Sequence, residues 1–149
     1  MKFRFALCAA LALTCLFIGS NVYAQGVTTI RGDANAGELN SAMLDQLVIT
    51  QQNSMARIFV IARLGRGETS AALNLQRLQA ARDYLVKTRG VAAEKVVFAS
   101  GDRIDGEGRL EFYLGSDLQL ITLATRGKNV TLVCCLDTVT PKHRRRGRH

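Results

Sequence analysis

One proline and no tryptophan occur in 149 residues, and the only two histidines, His143 and His149, stand in the last seven positions. So little proline excludes a collagen-like chain and a proline-rich linker, and four cysteines are too few for a disulfide-dense toxin. Without a histidine elsewhere, no Ser-His or Cys-His pair can be held by a folded core, so hydrolytic triads are excluded. After the first 24 residues no apolar run approaches the length needed to span a membrane. What is left is an ordinary globular composition, 48% apolar and 21% charged.

Residues 1–24 read as a secretory signal peptide. Lys2 and Arg4 give a short basic start, Ala6 to Ile18 is almost unbroken apolar sequence, and Val22-Tyr23-Ala24 supplies a cleavage site before Gln25. Thr14 before Cys15 argues against lipidation of that cysteine. Cleavage leaves 125 residues, enough for one core. The charge is lopsided. The mature chain has 18 basic and 12 acidic residues, and Lys142, Arg144, Arg145, Arg146 and Arg148 account for five of the 18. The body to Pro141 is nearly neutral, so the high pI belongs to a tail at 141–149. That argues against a nucleic-acid-binding domain, whose charge sits on folded elements. The tail has no apolar residue after Pro141 and is expected to be disordered and separable from the fold. It acts either as a solubilising extension or as an electrostatic contact with an anionic surface.

Within 25–140, Val27 to Ile30 is β-favouring, and Gly37 to Asn53 reads as a helix with Leu39, Met43, Leu44 and Leu47 inward and Asn40 polar. Ile58 to Ala62 reads as a covered central strand, Leu64 to Thr69 as a loop, and Ser70 to Thr88 as a second helix stopping at Gly90. Lys95 to Ser100, Arg109 to Leu114, Leu118 to Ala124 and Val130 to Leu136 read as strands, with a hairpin turn at 125–129. The alternation predicts an α/β (α+β) two-layer sandwich, β-α-β-α-β-β with one or two extra C-terminal strands. On the second helix, Leu73, Leu78, Ala81, Tyr84 and Leu85 fall in an arc of about 140°, and Arg77 lies inside it with Asn74 near its edge. Such an arginine either snorkels outward or meets an acceptor.

These residues carry a resemblance. Leu73, Arg77 and Tyr84-Leu85-Val86, then Gly90-Val91 and Glu94-Lys95-Val96, are similar to the second half of an OmpA-like peptidoglycan-associated domain. Ala99-Ser100-Gly101-Asp102 stands at that family's glycine-containing turn, and Arg109-Leu110-Glu111-Phe112 resembles its R-V-E-I strand. The similarity runs from Ile58 to Gly115. It implies a cell-envelope binding module with no catalytic residue and no cofactor. Its partner would be peptidoglycan or another anionic envelope component, in the periplasm or outside the cell. In the family, an aspartate in T-D-x-x-G and the helix arginine grip the charged end of a diaminopimelate. Here the threonine and aspartate positions fall on Leu64 and Gly65, and Ser70 replaces the usual asparagine. A zwitterion held by one charge instead of two loses about 2 kcal/mol or more. Glu68 can substitute only if its loop folds back. The ligand-binding candidates are therefore Arg77, Asn74, Ser70 and Glu68, with weak or altered peptidoglycan affinity. The alternative is a secreted structural or protein-interaction domain without a small ligand.

Other constellations are weaker. Gly65-Arg66-Gly67 lacks the Gly-Lys-Ser/Thr end of a phosphate loop. Asp102, Asp105, Glu107 and Glu111 read as charged loop residues rather than a catalytic pair. Asn129-Val130-Thr131 fits a glycosylation sequon, which means little if the chain is bacterial, as the resemblance suggests. Cys134 and Cys135 are strand neighbours pointing to opposite faces. They are two thiols, a strained vicinal disulfide or an intermolecular bridge. No metal-ligand spacing joins them to His143.

Overall fold

The computed structural model describes residues 27–31 and 36–132. The signal segment, Cys134, Cys135 and the basic tail lie outside the described residues. The elements are β1 (Thr28–Ile30), α1 (Ala36–Ser54), β2 (Ile58–Arg63), α2 (Ala71–Arg82), β3 (Val96–Ser100), β4 (Arg109–Leu114) and β5 (Asp117–Leu123). They form one five-stranded mixed sheet in the order β1-β5-β4-β2-β3. The outer pairs β1–β5 and β2–β3 are parallel, and β2–β4 and β4–β5 are antiparallel. Both helices pack on one face, which makes the two-layer α/β sandwich expected from the alternation.

The central strands explain the core. Ile58, Val60 and Ala62 of β2 stand opposite Leu114, Phe112 and Leu110 of β4, all on the helix side. With Leu120 of β5 they meet Leu44, Leu47 and Val48 of α1 and Ala81, Tyr84 and Leu85 of α2. Burying each large side chain contributes about 1.5–3 kcal/mol. The two helices are pinned to each other where the Tyr84 hydroxyl donates to Asp45 Oδ1 at 2.6 Å and Arg89 closes on the same carboxylate. Beyond Arg82, α2 widens into a π turn over Asp83–Thr88, and Gly90, at φ +68°, ends it.

Two expectations need correction. The buried face of α1 is Asn40, Leu44, Leu47, Val48 and Gln51, while Leu39 is 52% exposed. Asn40 turns inward because its amide is satisfied there: Nδ2 donates to the Thr131 carbonyl at 2.8 Å and Oδ1 accepts from Thr122 Oγ1 at 2.9 Å. The second difference concerns Val130 to Leu136. Val130 to Leu132 form no strand; Val130 and Leu132 are buried in the core and the Thr131 carbonyl caps the Asn40 amide. Arg126 and Gly127 make a turn, with Lys128 N–H donating to Thr125 O, but no hairpin partner follows among the described residues. The rest of that predicted strand lies outside them.

Candidate functional site

At the C-terminal end of β2 the chain leaves the sheet through Leu64 and Gly65, turns at Gly67 (φ +77°) and enters α2 after Ser70. The turn is closed by Glu68 N–H donating to Gly65 O. It brings the Glu68 side chain back under the helix, where 4% of the residue is exposed. The loop does fold back.

Arg77 lies nearly two turns into α2 and is fully buried. Its Nη1 and Nη2 donate to Glu68 Oε2 and Oε1 at 2.9 and 2.6 Å, a bidentate pair. Nη1 also reaches the Arg63 carbonyl at 3.3 Å, and Nη2 the Lys128 carbonyl at 3.0 Å. Glu68 in turn accepts from Gly65 N–H at 2.8 Å and Gly127 N–H at 2.9 Å. The bond from Arg77 holds the Glu68 carboxyl down at about 2, with the two backbone donors helping against the opposing effect of burial. Arg77 therefore does not snorkel. It is an arginine with an acceptor, and the acceptor is its own chain.

Glycine makes room for this pair. A Cβ at Gly108, just before β4, would collide with Glu68 Oε2 and Arg77 Nη1. Gly65 is pressed against the backbone of Gly106 to Gly108 in the same way. Three connections, 64–70, 101–108 and 124–130, thus converge on one ion pair at one end of the sheet.

Of the residues proposed from sequence, Glu68 and Arg77 are joined directly. Asn74 is buried beside them on α2 and donates Nδ2 to the Ala62 carbonyl at 3.1 Å, anchoring the helix to β2. Among the described residues its Oδ1 and Arg77 Nε have no hydrogen-bond partner. Ser70 is exposed at the helix start and makes no side-chain cap. It borders an open cleft of about 420 Å³ with Thr69, Gln76 and Arg126. Cys134 and Cys135 lie outside the described residues.

A second charged group was not foreseen. Asp102, Asp105 and Glu107 are exposed in the β3–β4 connection, but Glu111 is 2% exposed on β4, on the sheet face away from the helices. Its two oxygens accept from Arg63 Nε at 3.0 Å, Arg109 Nε at 2.7 Å and Tyr113 Oη at 2.9 Å. Burial alone would raise the Glu111 pKa, but the bonds from Arg63, Arg109 and Tyr113 outweigh it and leave it lowered. The spacing Arg109-Glu111-Tyr113 on an alternating strand was the available signal. Both carboxylates are saturated by guanidinium and neutral donors, a poor arrangement for a general base. Among the described residues no group of three or more His, Cys, Asp or Glu is placed to hold a metal ion. No helix among them is long and apolar enough to cross a membrane. In comparison with known proteins, the chain matches no family model, no curated protein and no solved structure.

Proposed function

We propose that this chain is an exported, non-enzymatic cell-envelope module with weak or altered peptidoglycan binding. In it the arginine that would receive a stem-peptide carboxylate is already closed by the protein's own Glu68. The observation that carries the reading is the buried 2.6 and 2.9 Å pair between Arg77 and Glu68, which fills the guanidinium fork from within. A ligand carboxylate competing for that fork must displace a preorganised internal one, which costs far more than entering an open site. A stem-peptide contact that leaves the pair intact therefore falls on the exposed rim beside it, where Ser70, Thr69 and Arg126 border the cleft.

The test is co-sedimentation with purified peptidoglycan, comparing wild type, Glu68→Ala and Arg126→Ala, each checked for folding by thermal melting. Weak retention of wild type, raised in Glu68→Ala and suppressed by free diaminopimelate, is the expected pattern. Strong retention of wild type that Glu68→Ala leaves unchanged would overturn the closed-grip reading. Retention of none of the three would replace it with that of a protein-interaction domain without a small ligand.

A further inference from the structure

The sheet face opposite the helices is built as a small recognition surface. Phe59 and Tyr113 stand directly across from one another on β2 and β4, and so do Arg63 and Arg109 four residues along β2. Glu111 lies between these pairs, with Ile61 beside it on β2 and Ile121 on β5. None of the described elements covers this face, and Phe59, Ile61, Tyr113 and Ile121 are each mostly buried but partly exposed on it.

Charge and geometry narrow what fits. Two guanidiniums share one buried carboxylate, so the cluster carries one net positive charge. The Arg63 and Arg109 side chains are 24% and 31% exposed, against 3% for Glu111. Arg109 Nη1 makes no hydrogen bond among the described residues, so a donor is left over at the surface. Because both arginines reach back to Glu111, their charged ends sit two residues, about 7 Å, from the level of the aromatic pair. The Tyr113 ring cannot swing freely, since its hydroxyl is tied to Glu111 at 2.9 Å. A flat, partly apolar platform thus stands one ring's width from a fixed pair of cations. From this we propose that the open sheet face binds an anionic saccharide, with a sugar ring on Phe59 and Tyr113 and its carboxylate on Arg63 and Arg109. A polynucleotide fits less well: the body from Gln25 to Pro141 is nearly neutral, and two shared guanidiniums neutralise too few phosphates.

This inference concerns a different face from the Arg77–Glu68 site and stands or falls separately. The probe is an oligogalacturonate of four sugars, titrated into the ¹⁵N-labelled full chain, with a neutral malto-oligosaccharide of equal length and an oligothymidylate beside it. Shifts confined to β2, β4 and β5 are expected with the uronate, and binding of the neutral sugar at least tenfold weaker. Phe59→Ala and Arg109→Gln should each weaken uronate binding fivefold or more, while Lys87→Ala, an exposed cation on the helix side, leaves it unchanged. Both surface variants keep Glu111 paired to Arg63, and their unshifted core resonances check the fold. No uronate shifts up to 10 mM, shifts outside the face, or loss equal in Lys87→Ala would overturn the proposal. Tighter binding of the oligothymidylate would overturn it in favour of nucleic acid.

Discussion

The Glu68 carboxylate grips both terminal nitrogens of Arg77, nine residues further on, with both side chains at most 1% exposed. A pair so placed is costly to bury but costlier to halve. Glu68→Ala and Arg77→Ala should each destabilise the fold by about 3–5 kcal/mol, because each strands the other charge. The double variant should cost much less than the two losses added together. Urea unfolding of the four-member cycle measures this, and additive losses would show that the partners do not depend on each other.

Acid should weaken the same contact. The folded Glu68 carboxyl titrates at about 2, below its ordinary 4.5, so the unfolded chain takes up the proton first. Its stabilisation is therefore complete above pH 4.5 and is lost as pH falls from there towards 2. The loss amounts to about 3 kcal/mol. Glu111 is lowered too and acts in the same sense. Melting temperature followed from pH 6 to 2 should drop steeply below 4.5, and Glu68→Gln should flatten that drop.

Gly108 and Gly90 separate crowding from backbone strain. Gly90→Ala meets nothing within 4 Å and bears only its positive φ, at a cost of about 1 kcal/mol. Gly108→Ala drives a methyl into Glu68 and Arg77 and should cost about 3 kcal/mol or more. Equal melting temperatures for the two variants would show that the loops relax around the pair.

Asn40→Ala should cost about 2–3 kcal/mol, since it leaves Thr122 Oγ1 and the Thr131 carbonyl without their buried partner. Leu39→Ala, one position earlier but half-exposed, should change stability by under about 0.5 kcal/mol. The reverse ranking would mean that α1 buries the face that carries Leu39.

That ranking marks where sequence reading succeeds and where it stops. The strand Arg109–Leu114 was legible to the residue, because a half-buried strand writes its two faces as alternation. The face of α1 was misread because periodicity counts apolar residues, whereas Asn40 is held inside by partners more than 80 positions away. Periodicity alone puts Arg77 in the core arc, where it is fully buried. That its acceptor would be Glu68 depended on how a seven-residue connection folds, which spacing does not encode. Arg63 and Glu111 meet only because the register sets Arg63 opposite Arg109, and such a register exists only once the sheet does. Val130 and Leu132 looked like strand because apolar side chains at alternate positions also serve an irregular segment lying on a core.

The position of β5 between β1 and β4 has a consequence for the order of assembly. Among the described residues Thr28 has its strand partner at Leu120, and Asn40 waits for a carbonyl 91 residues downstream. β1 and α1 come first in the chain, yet β1 lacks its β5 partner and Asn40 its Thr131 carbonyl until nearly the last described residue is in place. The middle, β2 through β4, can dock earlier because its contacts are shorter in sequence. β1 is thus the last described strand to seat, and a partner that holds it would delay the closing step while the β2–β4 centre is already in place.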